Sequence, residues 1–309
     1  MVSICILTYN RCGRLRELLK ELLGLTHQPL EIIVVDNNSQ DETPKMVQTE
    51  FPAVRHLRTE RNIGVAARNL GLQNAKGDFI VTLDDDIRGL SDRAIELLVS
   101  AFGSDPKLGA INFRVLTVDG RVCNWVHHCK EEEFSDKVFM TYEITEGAVA
   151  FRKKALEASG LYPEGFFLSH EGPDLAFRIL DSGFSVIYSG EISVVHHFAE
   201  EGRRPGRNYY YDTRNLFWLA ARNFPAGYAM RYLGRNVPAM LLYSLRDGFF
   251  VNWLKAVADG VGGLGKALAE RRRLSKSTMR TIREIDSQRP SVTYLIKKRV
   301  LARDGLLFK

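Results

Sequence analysis

The sequence predicts an α/β protein: a mostly parallel, mixed sheet with helices on both faces, followed by a basic, helical C-terminal extension. Three observations lead there. Short apolar runs alternate with amphipathic stretches over the first hundred residues, shorter and closer strands follow Gly109, and from Asn208 onward the periodicity is helical throughout. Alternating strands and helices give a parallel sheet buried on both sides.

The elements follow in order. Val2-Ser3-Ile4-Cys5-Ile6-Leu7 reads as a buried strand, and Leu15, Leu18, Leu19, Leu22 and Leu23 recur at the i, i+3, i+4 spacing of a helix that Gly24 can stop. Glu31 to Val35 is a second strand, a helix is expected from about Asp41 to Glu50 with Asp41 or Ser39 as its cap, and Val54 to Arg58 is a short third strand. The small-residue stretch Asn62 to Leu72 reads as helix, Asp78 to Val81 as strand, and Ser91 caps a helix whose stripe is Ile95, Leu98, Val99 and Phe102. Beyond Gly109, strands are expected at 110–115, 138–142, 147–151, 185–188 and 192–196, with helices at 154–159 and 174–180. The expected division is 1–202 (halves 1–109 and 110–202) and a C-terminal region 203–309.

Composition narrows the possibilities. At 309 residues and 45% apolar content the chain can build a full core. Four cysteines, Cys5, Cys12, Cys123 and Cys129, make no convincing disulfide framework, and a reducing, cytoplasmic setting is expected. No secretory signal is read at the start. The longest late apolar stretch, Val237 to Leu245, falls well short of the ~20 residues of a spanning helix. The net charge of +6 hides an asymmetry: residues 203–309 carry 22 Lys+Arg against 7 Asp+Glu, leaving an acidic remainder. Such a tail suits a polyanionic surface, membrane headgroups or nucleic acid.

The chemistry-bearing feature is Thr82-Leu83-Asp84-Asp85-Asp86-Ile87. Three acids at a strand end repel one another unless a cation sits among them, although a solvated acidic turn would look the same in isolation. Two further strands end in polar turns, Thr8-Tyr9-Asn10-Arg11 and Asp36-Asn37-Asn38-Ser39. Ligands of open parallel sheets bind outside the carboxyl ends of the strands, so the three turns can line one site.

These residues resemble the inverting family 2 glycosyltransferases of GT-A fold, in particular bacterial rhamnosyltransferase-like members. The resemblance is carried by Ile6-Leu7-Thr8-Tyr9-Asn10-Arg11, Ile33 through Thr43, Arg61-Asn62-Ile63-Gly64 through Arg68-Asn69, Gly77-Asp78-Phe79-Ile80 and the acidic triplet, in order over residues 2 to about 200. It implies a nucleoside-diphosphate-sugar donor, UDP- or dTDP-linked by first expectation, and a Mg²⁺ or Mn²⁺ ion. It places Leu7, Thr8, Tyr9, Asp36, Asn37 and Arg68 in the nucleotide site. Asp84 and Asp86 become the DxD pair, Asp86 as direct metal ligand and Asp84 nearer the ribose, with Asp85 the least committed acid. Plainer roles exist for Asp36, as a turn acid, and for Arg68, as an exposed helical arginine.

The same resemblance places Glu146-Gly147-Ala148-Val149 beneath the donor sugar, with Gly147 leaving room, and His196 near the diphosphate as a possible metal ligand. The deprotonating group is expected in Phe166 through Arg178. There the family's usual Glu-Asp pair stands as Glu171-Gly172, so Glu171 and Asp174 are the candidate bases. Glu171 is preferred because Asp174, just after Pro173, suits capping of a helix first turn. A silent carbohydrate- or nucleic-acid-binding protein of the same fold is the alternative that Gly172 supports. A sugar-phosphate nucleotidyltransferase should carry a Gly-rich phosphate loop after the first strand, where this chain has Thr8-Tyr9-Asn10-Arg11.

Two features stand outside that site. Cys123, His127, His128 and Cys129 offer a zinc donor set, but their spacing matches no finger pattern, and an acceptor-side loop with Trp125 to stack on a sugar is the preferred reading. In the tail, Met240, Leu241, Leu242, Leu245, Phe249, Phe250, Trp253, Leu254 and Val257 interleave with Arg231, Arg235, Arg246 and Lys255. They suit either a packed helix or one lying in an anionic membrane interface, helped by Arg271-Arg272-Arg273 and Lys297-Lys298-Arg299. A hydroxyl acceptor, glycan, lipid-linked glycan or small molecule, is implied, and nucleic acid is not expected.

Overall fold

A computed structural model describes residues 1–123, 125–126, 128–144, 147–198, 205–291 and 293–294. His127, Glu146 and Lys297-Lys298-Arg299, named above, lie outside the described residues. The first half runs β1 (Val2–Thr8), α1 (Cys12–Leu22), β2 (Leu30–Asp36), α2 (Thr43–Glu50), β3 (Arg55–Arg58), a 3₁₀ turn (Gly64–Ala67), α3 (Arg68–Asn74), β4 (Phe79–Asp84), β5 (Ile87–Arg88) and α4 (Asp92–Ser104). The second half runs β6 (Leu108–Thr117), β7 (Val122–Cys123), α5 (Glu131–Phe134), β8 (Val138–Met140), β9 (Ala148–Arg152), α6 (Lys153–Ser159), α7 (Glu171–Asp181) and β10 (Ser185–His196). Five helices close the described chain: α8 (Arg207–Asn223), α9 (Ala226–Arg246), α10 (Phe250–Gly262), α11 (Leu264–Ala269) and α12 (Lys276–Asp286).

One sheet runs in the order β3-β2-β1-β4-β9-β6-β10-β5, with β7 beside β6 and β8 beside β10. The β3-β2-β1-β4 half is wholly parallel, and β9 joins it antiparallel. Alternation along each strand builds two cores. Ile4, Ile6, Val34 and Leu83 pack with Leu15, Leu18, Ile95 and Phe102 of α1 and α4. Cys5, Ile33, Val35 and Phe151 face the other way, toward Leu175 and Phe177 of α7. Leu219 and Ala220 of α8 and Met279, Ile282 and Ile285 of α12 belong to that second core, so the C-terminal helices complete it.

Several boundaries differ from the sequence reading, each for a local reason. The helix expected at Asp41 begins at Thr43, where Asp41 Oδ1 accepts the Thr43 amide at 3.0 Å. The helix expected over 62–72 starts as a 3₁₀ turn, because Gly64 has φ of +68° and breaks the α path. The two strands expected around Gly190 are one strand with a register shift between Ser189 and Ser193. Gly190 is required there: a Cβ would lie 2.4 Å from the Asp136 carbonyl carbon, and such a close approach marks a bulge. Helix α7 begins at Glu171, with Pro173 in its first turn, where the missing N–H costs nothing.

Candidate active site

Register alone brings the polar turns together. Thr8 of β1 lies opposite Asp36 of β2, and Leu7 lies opposite Asp84 of β4. Arg68 is buried rather than exposed, donating from Nη1 to the Leu83 carbonyl at 3.0 Å and pairing through Nη2 with Asp84 Oδ1. On the other flank, the Asp84 amide donates to the Gly147 carbonyl at 3.1 Å, and a Cβ on Gly147 would stand 2.7 Å from Asp84 Oδ2. Arg68, Asp84 and Gly147 are therefore one packed group, with Asp84 the partly exposed member.

Asp85 turns inward and is held firmly. It accepts from Thr8 Oγ1 at 2.7 Å and from Arg11 Nη1 at 2.8 Å. Burial pushes it up to about 6 against the pull of Arg11. The same Arg11 nitrogen donates to Asp86 Oδ2 at 3.1 Å, so one guanidinium spans two carboxylates. The pairing of β5 with the end of β10 sets His196 opposite Ile87, and the His197 amide donates to the Asp86 carbonyl at 2.8 Å. His196 Nε2 consequently lies 3.2 Å from Asp86 Oδ1, and among the described residues neither buried ring nitrogen of His196 has a hydrogen-bond partner.

A carboxylate oxygen beside a buried imidazole suits Mn²⁺ or Mg²⁺, whose remaining positions diphosphate oxygens and water would fill. Among the described residues no three or more His, Cys, Asp or Glu side chains gather as a complete metal cage. The fit is that of a partial, open donor set.

Asp36 and Asn37, at the end of β2, build the loop itself. Asp36 is buried; its Oδ1 accepts the Ser39 amide at 2.7 Å, and Oδ2 lies 3.7 Å from His56 Nε2 and 3.6 Å from Arg58 Nε. Burial works against its charge, but His56, Ser39 and Arg58 outweigh it and keep Asp36 below the usual carboxylate range. Asn37 donates to Asn62 Oδ1 at 3.0 Å and to the Gly64 carbonyl at 3.1 Å, and accepts from the Ile63 amide at 3.0 Å. It ties β2 to the Arg61–Gly64 turn. Leu7 is half-buried and Tyr9 stands exposed at the rim.

The Gly64–Ala67 turn touches the segment leading to Glu171. The Val65 amide donates to the Phe167 carbonyl at 2.8 Å. Glu171 is buried in the first turn of α7, and so is Asp174, which removes capping as the ground for separating them. Their surroundings separate them instead. Asp174 Oδ2 accepts from Arg178 Nη2 at 2.9 Å and Nε at 3.1 Å, while Oδ1 accepts from Arg222 Nε at 3.0 Å and Asn223 Nδ2 at 2.7 Å. Burial alone would raise it, but Arg178 and Arg222 hold Asp174 below its ordinary range. A carboxylate so neutralised is a weak proton acceptor.

Four participants escaped the sequence reading. Arg11 was visible only as the end of a turn, Asp212 of α8 lies beside His170 with its carboxyl raised by burial, and Arg214-Asn215 reach across to the Phe166–His170 loop. The Cys123–Cys129 segment belongs elsewhere. Burial pushes both thiols up to about 12, and among the described residues no group of three or more His, Cys, Asp or Glu that could hold a metal includes them. Trp125 packs edge-on against Phe139 and Tyr188, with its indole N–H donating to the Cys129 carbonyl at 2.9 Å, so the ring expected to stack on a sugar is engaged in an aromatic cluster.

Fold and strand-end acids define a GT-A glycosyltransferase. The comparison with known families agrees: residues 3–160 match the model of "Glycosyl transferase family 2", and the chain belongs to that family of enzymes. It is 26% identical over 262 residues to the glucosyl-dolichyl phosphate glucuronosyltransferase of Haloferax volcanii, covering 77% of this chain and 78% of that protein. It is 22% identical over 243 residues to the N-acetylglucosaminyl-diphospho-decaprenol L-rhamnosyltransferase of Mycobacterium tuberculosis, covering 66% and 79%. A stronger local match, 42% over 87 residues, is to the uncharacterized glycosyltransferase YwdF of Bacillus subtilis, of which it spans only 32%, and 28% of this chain. Among solved structures, S. aureus TarS 1-349 in complex with UDP-GlcNAc superposes with a TM-score of 0.62 at 17% identity, over 92% of this chain and 88% of that one. The mannosyltransferase PcManGT from Pyrobaculum calidifontis, in complex with GDP-Man and Mn²⁺, gives 0.55 at 20% identity over 93% and 85%.

Proposed function

We propose that this enzyme moves one sugar from a nucleoside-diphosphate-sugar to a hydroxyl acceptor with inversion, and that it depends on a divalent metal. The observation that carries the reading is the convergence of Thr8, Arg11, Asp85, Asp86 and His196 beside the Arg68-Asp84-Gly147 group at the carboxyl edge of the sheet. Arg68 orients Asp84 toward the ribose, and Gly147 leaves space for the donor sugar. Asp86 and His196, with Asp84 nearby, would hold Mg²⁺ or Mn²⁺, which when bound neutralises charge on the departing diphosphate. Arg11 adds a fixed positive charge at the same edge.

Glu171 takes the acceptor proton as the acceptor oxygen bonds to the anomeric carbon and the bond to the diphosphate breaks. Asp174 shapes the first turn of α7 rather than receiving that proton. No second carboxylate is needed to protonate the leaving group, unlike in a glycosidase. Asn37 and Asp36 hold the turn against which the base of the nucleotide rests, a UDP or dTDP donor being the first expectation.

A lipid-linked acceptor in a cell-surface or glycolipid pathway suits this chain, by analogy with the dolichyl- and decaprenol-linked names of its relatives. The tail supports that choice. Met230, Leu242, Leu245, Phe250, Val251, Leu254 and Val261 stand exposed on α9 and α10, Val251 at 75%, with Arg231, Arg235 and Lys255 among them. No helix among the described residues is long and apolar enough to cross a membrane, so this face would lie on an anionic bilayer. Because α12 is part of the core, the test is a Leu242→Glu, Val251→Glu, Leu254→Glu triple variant, expected to lose flotation with anionic liposomes; unchanged flotation rejects the docking.

A thermal-shift screen of UDP-, dTDP- and GDP-sugars with Mn²⁺ or Mg²⁺ tests the donor site. One nucleotide-sugar should stabilise the protein only with metal, and Asp86→Ala should lose that increment. Equal stabilisation without metal, or in Asp86→Ala, defeats the metal assignment.

A further inference from the structure

The segment Phe166–His170, which delivers the chain to Glu171, holds three of the five non-glycine residues with positive φ among the described residues: Phe167 at 64°, Ser169 at 70° and His170 at 66°. Left-handed backbone at side-chain-bearing residues persists only where the surroundings impose it. Here the restraint comes from a distant helix. Asn215, fully buried on α8, donates from Nδ2 to the carbonyls of Phe166 at 3.1 Å, Leu168 at 2.6 Å and Ser169 at 2.7 Å. Its Oδ1 accepts from Arg214 Nε at 2.9 Å, and Arg214 Nη2 donates to the same Phe166 carbonyl at 2.6 Å. The Arg214 guanidinium is itself fixed over the Trp218 ring, 4.1 Å from its centroid.

The opposite side of the segment is held by the donor-side turn. The Val65 amide reaches the Phe167 carbonyl, and at Gly64 a Cβ would come within 2.0 Å of that oxygen. One loop is thus clamped between the nucleotide half and α8, which lies beyond the residues matched by the family model.

We infer that Asn215 is a positioning residue for the transfer reaction: its amide aligns three carbonyls and holds the left-handed path that sets Glu171 at the start of α7. The inference rests on the proposed role of Glu171 as base. Removing the amide lets Phe167, Ser169 and His170 relax to negative φ, which rotates the turn carrying Glu171. Arg68 at the start of α3 and Asp84 and Asp86 at the end of β4 and in the turn after it lie outside the Phe166–His170 segment and stay in place. A misplacement of the reacting group by about 1 Å can cost roughly 10²-fold in rate.

The test compares full-length wild type, Asn215→Ala, Glu171→Gln and the double variant, using turnover of the nucleotide-sugar that stabilises the protein, with water as acceptor where no other serves. Asn215→Ala should lower kcat by about 10- to 100-fold with donor KM within about twofold. The double variant should be no slower than Glu171→Gln alone, because residues that act as a unit are non-additive. Wild-type kcat in Asn215→Ala, or a double variant slower by the full single-variant factor, overturns the inference while leaving the base assignment standing. Wild-type kcat in Glu171→Gln removes the base assignment and the inference with it. If Asn215→Ala does not fold, Asn215→Asp, which keeps the shape but not the donors, enters the same comparison with the same expected outcomes.

Discussion

Replacing Asp174 by asparagine separates a structural acid from a catalytic one. The substitution keeps the shape of the side chain, removes its charge and turns one acceptor into a donor that faces donors. Arg178 and Arg222, with side chains 7% and 10% exposed, then lose their shared carboxylate, although Arg222 keeps Glu270. Breaking a buried pair by deleting one partner costs about 3–5 kcal/mol. At about 2–3 °C per kcal/mol for a chain of this size, the melting temperature should fall by roughly 6–15 °C.

The pH dependence gives a second handle. Asp174 is held below its ordinary range in the fold, so its contribution is full above the unfolded carboxylate value of about 3.9 and is lost as pH falls through the lower folded value. Wild type and Asp174→Asn should therefore differ most near neutral pH and converge in acid. Differential scanning calorimetry from pH 3 to 8, run beside a turnover assay, measures both. An unchanged melting temperature with kcat reduced by about 10² to 10⁴ would refute the reasoning and make Asp174 the base.

Gly147→Ala places a Cβ 2.7 Å from Asp84 Oδ2 and should displace Asp84 from Arg68; calorimetric titration should show donor affinity down by about tenfold or more, with the circular dichroism spectrum unchanged. Gly64→Ala puts a side chain at φ of +68° against the Phe167 carbonyl, and urea denaturation should show a loss of about 2 kcal/mol or more.

Local patterns were legible in the sequence because adjacency in the chain and adjacency in space coincide there. The carboxyl ends of β1, β2 and β4 and the acidic turn follow from strand periodicity plus the rule that places ligands at strand ends, while the place of His196 followed from the family resemblance. What was hidden depends on distant partners. Asp174 was separated from Glu171 by capping logic, whereas what occupies it is Arg222, 48 residues away. In the sequence Asn215 is only part of the helical stretch from Asn208 onward, since nothing in its neighbours announces three carbonyls 46 to 49 residues upstream. Asp85, the acid given the least specific role, is held by the Thr8 hydroxyl at the end of β1 and by Arg11 in the turn after it, 74 to 77 residues earlier. The gap expected between 185–188 and 192–196 misled in the opposite direction: Gly190 within it sits at a bulge in one continuous strand and admits the Asp136 backbone.

The central claim is that Glu171 removes the acceptor proton at a donor site built by Asp84, Asp86 and Arg68. Its most direct test is kcat and donor Kd for Glu171→Gln against wild type, with the nucleotide-sugar and metal chosen by the thermal-shift screen. Glu171→Gln should lose about 10² to 10⁴ in kcat with donor Kd unchanged. Wild-type kcat in Glu171→Gln would contradict it and turn attention to Asp212 beside His170.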